Sequence, residues 1–240
     1  MNTKNFLLSL IAVATAFSFT SCNSDSPNDP SKPDNNRPVF TDIVTVSAIN
    51  TNSTVFTFRK IDDSPLVTLT VNQAANTANV KVGDRLAISY YSDKNQQYVD
   101  AGITVLGISS TAGNGENIPV GKAIDNSNWF TSTISRPVLQ RSGEYVNVQF
   151  FSDMYPTSVK LRMVLDENTV HDSFPNAYIL FNGSYAQSPA PYVYFMSYSL
   201  QELWDDSNVQ GLNIIYQTNE GKKTFTINRP GNSQEKPVEK

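Results

Sequence analysis

The stretch DIVTVSAINTNSTVFTFRK, residues 42–60, decides the fold. In its first half Val44, Val46 and Ala48 fall on one side of an extended chain, and Ile43, Thr45 and Ser47 on the other. After INTN the alternation resumes, with Thr54, Phe56 and Phe58 opposite Val55, Thr57 and Arg59. A period of two built from β-branched and aromatic residues marks strands, and an Asn-rich break between two such runs marks a turn. The stretch therefore reads as two strands joined by a short connection.

The same pattern continues downstream. PLVTLTV (65–71), KVGDRLAISYYSD (81–93) and YVDAGITVLGIS (98–109) each read as a strand, and period-3.6 apolar stripes are hard to find among them. Five short strands within residues 39–110 fit a small OB-like barrel, which removes the exposed edges of an open sheet. STAGNGENIPVGKAIDNSN (110–128) is rich in Gly and Asn and poor in large apolar residues, so 111–128 reads as an interdomain linker. Seven further strand candidates follow: RPVLQR (136–141), EYVNVQFF (144–151), SVKLRMVLD (158–166), AYILFNG (177–183), PYVYFMSYSL (191–200), GLNIIYQT (211–218) and KKTFTIN (222–228). They predict a β-sandwich over 129–230, closed by a hairpin across NEG.

One segment departs from the strand period. In SLQELWDD (199–206), Leu200, Leu203 and Trp204 share one face of a helical turn, with Ser199 as its cap. Such a turn would cover an open end of the sandwich and bury Trp204. Residues 231–240 carry no core candidates and read as a flexible tail. The expected fold class is all-β: a small OB-like barrel followed by an antiparallel β-sandwich.

Upstream of the barrel the chain has a different character. MNTKN leads into an apolar run, Phe6–Phe19, and then Thr20, Ser21 and the sole cysteine, Cys22. A short basic start, an apolar core and small residues before a cut site make a secretory signal, residues 1–21. The run is 14 residues long, short of the roughly 20 needed to cross a bilayer as a helix. FTSC resembles the lipobox of bacterial lipoproteins, although Phe19 stands where Leu or Val is usual. That resemblance implies lipid attachment at Cys22 and residence at the outer membrane, facing the periplasm or the cell surface. NSDSPNDPSKPDNNRP (23–38) has four prolines and no large apolar residue. With Cys22 it forms a tether, 22–38, that cannot bury enough surface to fold.

Taken together, the lipoprotein signal, VGDRLAISYY, the Gly- and Asn-rich passage and FMSYSLQEL before a terminal hairpin resemble the NigD-like lipoproteins of Bacteroidetes. The resemblance spans most of the mature chain through strand spacing and short phrases. It implies an OB-like N-terminal domain and a C-terminal β-sandwich. The founding member of that family is associated with a bacteriocin operon and an immunity role, while most relatives have no established function.

Net charge is −4 over the whole chain, which gives no electrostatic footprint for nucleic acid. With Cys22 acylated, no thiol remains for disulfides or thiolate catalysis. The sole histidine, His171, has Asp172 and Ser173 beside it, but adjacent residues seldom meet in triad geometry and no G-x-S-x-G elbow is present. GNGEN (113–117) lacks the G-K-[ST] ending of a phosphate loop. Asp62-Asp63 and Asp205-Asp206 fall outside any D-x-D-x-D-G calcium loop. These absences point away from catalytic residues, metal ligands and cofactors.

Two readings remain. In APYVYFMSYSL, Tyr192, Tyr194 and Tyr198 share a strand face with Met196 and Leu200, opposite Val193, Phe195, Ser197 and Ser199. Turned outward, the three tyrosines would form a surface for a protein partner or a glycan. Turned inward, as Met196 and Leu200 favour, they would line the core. The leading expectation is a non-catalytic, lipid-anchored envelope protein that binds such a partner. The alternative is a polysaccharide-acting hydrolase using two carboxylates from Asp153, Asp166, Glu167, Asp205 and Asp206.

Overall fold

The computed structural model describes residues 37–75, 79–122, 132–185 and 191–231. The signal, Cys22, most of the tether, residues 123–128 of the expected linker and most of the tail lie outside the described residues. Among the described residues no helix is long and apolar enough to cross a membrane. The chain forms two compact units.

The first unit is a closed barrel of five strands: β1 (Val39–Ile49), β2 (Thr54–Arg59), β3 (Leu66–Val71), β4 (Arg85–Ser92) and β5 (Ala101–Ser110). Their order around the barrel is β1-β2-β3-β5-β4, and a short parallel pairing of β3 with β5 completes the ring. β1 is long enough to pair with β2 at one end and β4 along the other, and a bulge between Val46 and Ala48 marks its irregular register. The faces follow the alternation of the sequence. Val44, Val46, Phe56 and Phe58 point inward and meet Val67, Leu69, Ile88 and Tyr90.

Asp42 lies on the inward side of β1, two residues before Val44. Its carboxylate accepts the Tyr90 hydroxyl at 2.8 Å and the Gln97 amide at 3.0 and 3.1 Å. Burial pushes Asp42 above the ordinary carboxylate range, against the opposing pull of those two hydrogen bonds. Burial, together with the neighbouring Asp42, raises the Tyr90 and Tyr98 hydroxyls as well.

The second unit takes in Thr111 onward together with Ile61–Asp63, three residues that the sequence pattern had placed with the barrel. It contains a sheet in the order β13-β12-β10-β9-β6 and another in the order β11-β8-β7. The first sheet comprises β6 (Val120–Gly121), β9 (Lys160–Asp166), β10 (Asn176–Asn182), β12 (Gly211–Thr218) and β13 (Gly221–Asn228). The second comprises β7 (Ser135–Ser142), β8 (Tyr145–Ser152) and β11 (Tyr192–Ser199). Val146, Val148 and Phe150 from β8 share one core with Leu161, Met163 and Leu165 from β9 and with Leu212 and Ile214 from β12. The expected terminal hairpin is β12–β13, in register from Gly211↔Asn228 to Thr218↔Gly221.

The described part of the expected linker, 111–122, is built into this second unit. The Ala112 N–H donates to the Phe195 carbonyl, and the Ser197 and Ser199 N–H groups donate to the carbonyls of Ala112 and Glu116. Further on, the carbonyls of Pro119 and Gly121 accept from Leu165 and Glu167. One Gly- and Asn-rich strap thus occupies the edge of β11 and then the edge of β9. Composition mislabels it because its contacts run through backbone atoms, with only Thr111, Ala112 and Ile118 buried.

The predicted helical turn is α1 (Gln201–Asp205). Leu200 is fully buried, and Leu203 and Trp204 pack half-buried against the core. Ser199 Oγ accepts the Gln201 N–H at 3.1 Å, and the Arg229 guanidinium binds the carbonyls of Trp204, Asp206 and Val209 beyond the helix.

Candidate functional site

β11 carries the residues singled out by the sequence, and its pairing with β8 fixes which way they face. Tyr192 pairs with Ser152 and Tyr198 with Val146. Tyr194 and Tyr198 are only 8% and 4% exposed, so these two do not form a binding surface. Met196 and Leu200, on the same face and fully buried, draw it into the core.

Both buried hydroxyls bind backbone. Tyr194 donates to the Met154 carbonyl at 2.7 Å, and its ring meets Phe150 and Phe181 at 5.4 and 5.3 Å. Burial pushes its hydroxyl up to about 12. Tyr198 OH accepts the Met163 N–H at 3.1 Å, and burial raises its hydroxyl too.

Tyr192, at the start of the strand, emerges half-exposed. There its ring meets Tyr155 edge to face, with centroids 6.1 Å apart and planes at 83°. Tyr155 is 46% exposed, and Tyr185, on the loop after β10, is 77% exposed. Rigid backbone positions Tyr155: its N–H donates to the Ser184 carbonyl at 2.6 Å and its carbonyl accepts the Ser158 N–H and hydroxyl, each at 3.0 Å. The Ser184 N–H in turn donates to Ser158 Oγ at 3.0 Å. Tyr155 and Tyr192 thus meet ring to ring, and Tyr185 stands exposed on a segment whose backbone bridges Met154, the residue that accepts the Tyr194 hydroxyl. The sequence named one of the three. MYPTS and SYAQSP each place a tyrosine near a proline among small polar residues, a sequence signal that could have found Tyr155 and Tyr185.

Several of the acidic candidates are engaged by neighbouring side chains or backbone. Asp62 and Asp63 engage the guanidinium of Arg141, at 3.2 and 2.9 Å, where a calcium ligand role would need them open. The Asp166 carboxylate accepts the backbone N–H and side-chain amide of Asn168 at 3.0 and 3.1 Å. His171 is a solvated loop residue, 86% exposed, whose Nδ1 lies 3.5 Å from Asp206 Oδ2. Asp206 and Glu202 line a cleft of about 170 Å³ with Ile118, Leu165, Val170 and Leu203. Among the described residues no Tyr, Trp or Phe lines that cleft, though His171 does, and Asp206 is held below the ordinary range, chiefly by the Asn208 N–H. A glycosidase general acid requires the opposite shift.

The architecture is that of an OB-like barrel followed by a β-sandwich. A scan of protein-family models finds no match, and no curated protein matches the chain. Solved structures do. The chain is similar to a protein of unknown function from Bacteroides vulgatus, with 15% identity and a TM-score of 0.56 over 83% of this chain and 95% of that one. It is also similar to a candidate lipoprotein from Bacteroides fragilis, with 12% identity and a TM-score of 0.53 over 80% and 98% of the two chains. A NigD-like immunity protein from Bacteroides caccae matches with 13% identity and a TM-score of 0.51 over 78% and 90%. At such identities the likeness establishes the fold, and to that depth it agrees with the resemblance read from the sequence.

Proposed function

We propose that this chain is a lipid-anchored, non-catalytic protein of the bacterial envelope whose sandwich unit recognises another macromolecule. The observation that carries recognition is the edge-to-face pair of Tyr155, exposed, and Tyr192, half-exposed, with Tyr155 on hydrogen-bonded backbone, since large aromatics with polar tips are the residues that dominate interfaces. Cys22 directly after an apolar run, followed by a proline-rich spacer, supports the anchor. The fold shared with a candidate lipoprotein and a NigD-like immunity protein supports an envelope setting. On this reading the protein sits in the outer membrane, facing the periplasm or the cell surface.

Anchorage is tested by radiolabelled palmitate and external protease on intact cells, comparing wild type with Cys22→Ala. Label on wild type alone is the expected result, and equal label on both overturns the anchor. Shaving of the body from whole cells indicates the surface, and protection indicates the periplasm. Recognition is tested by affinity capture from native membranes, comparing wild type with the Tyr155→Ala/Tyr192→Ala variant. Identical captures refute the tyrosine pair as the contact.

A further inference from the structure

We infer that the Tyr155–Tyr192 pair is a binding site for a neutral glycan; this rests on the recognition reading above and gives it a ligand class. Tyr155 and Tyr192 stand at 83° with centroids 6.1 Å apart, so they form a corner with two accessible ring walls. Tyr185, 77% exposed, stands on a neighbouring segment whose backbone bridges Met154. A pyranose has apolar C–H faces and a polar rim, and it matches aromatic walls whose own tips are hydroxyls.

The polar surroundings fit the same ligand. Asp153, Thr157 and Ser184 are exposed on the segments that build the corner and offer a carboxylate and hydroxyls to sugar hydroxyl groups. Those segments, 152–158, 184–185 and 191–193, contain no lysine, arginine or histidine. Within these segments an acidic polymer would meet only the charge of Asp153, the nearest lysine in sequence being Lys160 on β9, opposite Asn182. Size argues against a protein partner: stable protein interfaces take about 800 Å² and some 20–30 residues a side, far more than the paired rings of Tyr155 and Tyr192 present. The backbone under the corner is fixed before any ligand arrives, so little ordering entropy opposes a weak ligand.

The test is native affinity electrophoresis of the full chain, purified in detergent, through gels containing soluble starch, mixed-linkage β-glucan, xylan or galactomannan, with polygalacturonate as the acidic control. Retardation by at least one neutral polymer is expected, with affinity falling about tenfold or more in Tyr192→Ala and in Tyr155→Ala, the loss expected when an anchor residue is truncated. Tyr155→Phe keeps the wall and should stay within about twofold of wild type. Urea midpoints of the variants guard against misfolding, and Tyr185→Ala, altering the most exposed ring, supplies a further substitution that leaves the core intact. Retardation by polygalacturonate alone overturns the neutral-glycan assignment, as does the absence of any retardation. A photo-crosslinker at position 155 in intact cells separates the two levels. If the gels are blank and it traps a polypeptide, the glycan inference falls and recognition stands. If both are blank, both fall.

Discussion

Replacing Tyr198 with Phe isolates a single buried hydroxyl. Along β9, the N–H groups of Leu165 and Glu167 point to the strap and donate to the carbonyls of Pro119 and Gly121. The Met163 N–H points the same way, but β6 pairs only with Leu165 and Asp166. The Tyr198 hydroxyl takes that N–H instead, at 3.1 Å, and Met163 is fully buried. Tyr198→Phe keeps the ring and leaves the N–H without this acceptor. A buried donor left unpaired costs about 1–3 kcal/mol, lessened because the variant no longer desolvates a hydroxyl. The net expectation is about 1–2 kcal/mol, or roughly 3–8 °C in the midpoint of a unit of this size. Urea unfolding of the purified chain measures the total, and amide hydrogen exchange at Met163 locates it. If Tyr198→Phe lies within about 0.3 kcal/mol of wild type and Met163 keeps its protection, the account of that edge is wrong.

Gly113, at φ +85°, lies so close to the face of Tyr198 that an added Cβ would stand 2.5 Å from the ring, so Gly113→Ala should cost about 2–4 kcal/mol by urea unfolding. Gly107 in β5 has open space around its Cβ position and no positive φ; Gly107→Ala should be neutral or stabilise by up to about 1 kcal/mol, and equal losses at the two sites would refute the steric argument. Asp42, faced by Tyr90, Gln97 and Tyr98, has its pKa raised on folding, so its contribution to stability is fully present below the unfolded value and is lost as pH rises through the folded one. Stability of wild type relative to the uncharged Asp42→Asn should therefore shift in favour of wild type between pH 7 and pH 4, and a shift the other way in paired urea titrations contradicts burial as the dominant cause.

Much of this architecture is legible in the sequence, and the parts that are not have identifiable reasons. β1 and β2 of the barrel can be read because only one face of each is fully buried, so a period of two survives in Val44/Val46 and Phe56/Phe58. β11 defeats the same reading because both of its faces carry aromatics. Only pairing with β8 and the burial of Met196 decide that Tyr194 and Tyr198 face inward. The strap at 111–122 looks like a linker because Gly and Asn conceal how much hydrogen bonding a backbone can do. The tyrosine corner depends on residues 37 positions apart in sequence, Tyr155 and Tyr192, which no local pattern connects. Asp62 and Asp63 show the same limit: their acidity is visible, and their partner, Arg141, is not.

The tyrosines of β11 divide their work by position along the strand, and that division governs how any substitution there must be interpreted. Where the core is thick, at Tyr194 and Tyr198, a buried hydroxyl is tolerated only because a backbone group meets it, so each of these residues is tied to one main-chain atom on another segment. Tyr194 is tied to Met154, which adjoins Tyr155, so the buried tyrosine sets the height of the exposed one. Loss of binding in a Tyr194 variant would therefore be transmitted through a displaced loop and should bring a lower unfolding midpoint with it. Loss at Tyr155, an exposed ring, should leave the midpoint nearly alone, whereas Tyr192→Ala, which removes a ring packed half-buried against the core, should lower it modestly. Binding and stability measured on the same variants separate contact from support, which a binding scan alone would merge into one row of three tyrosines.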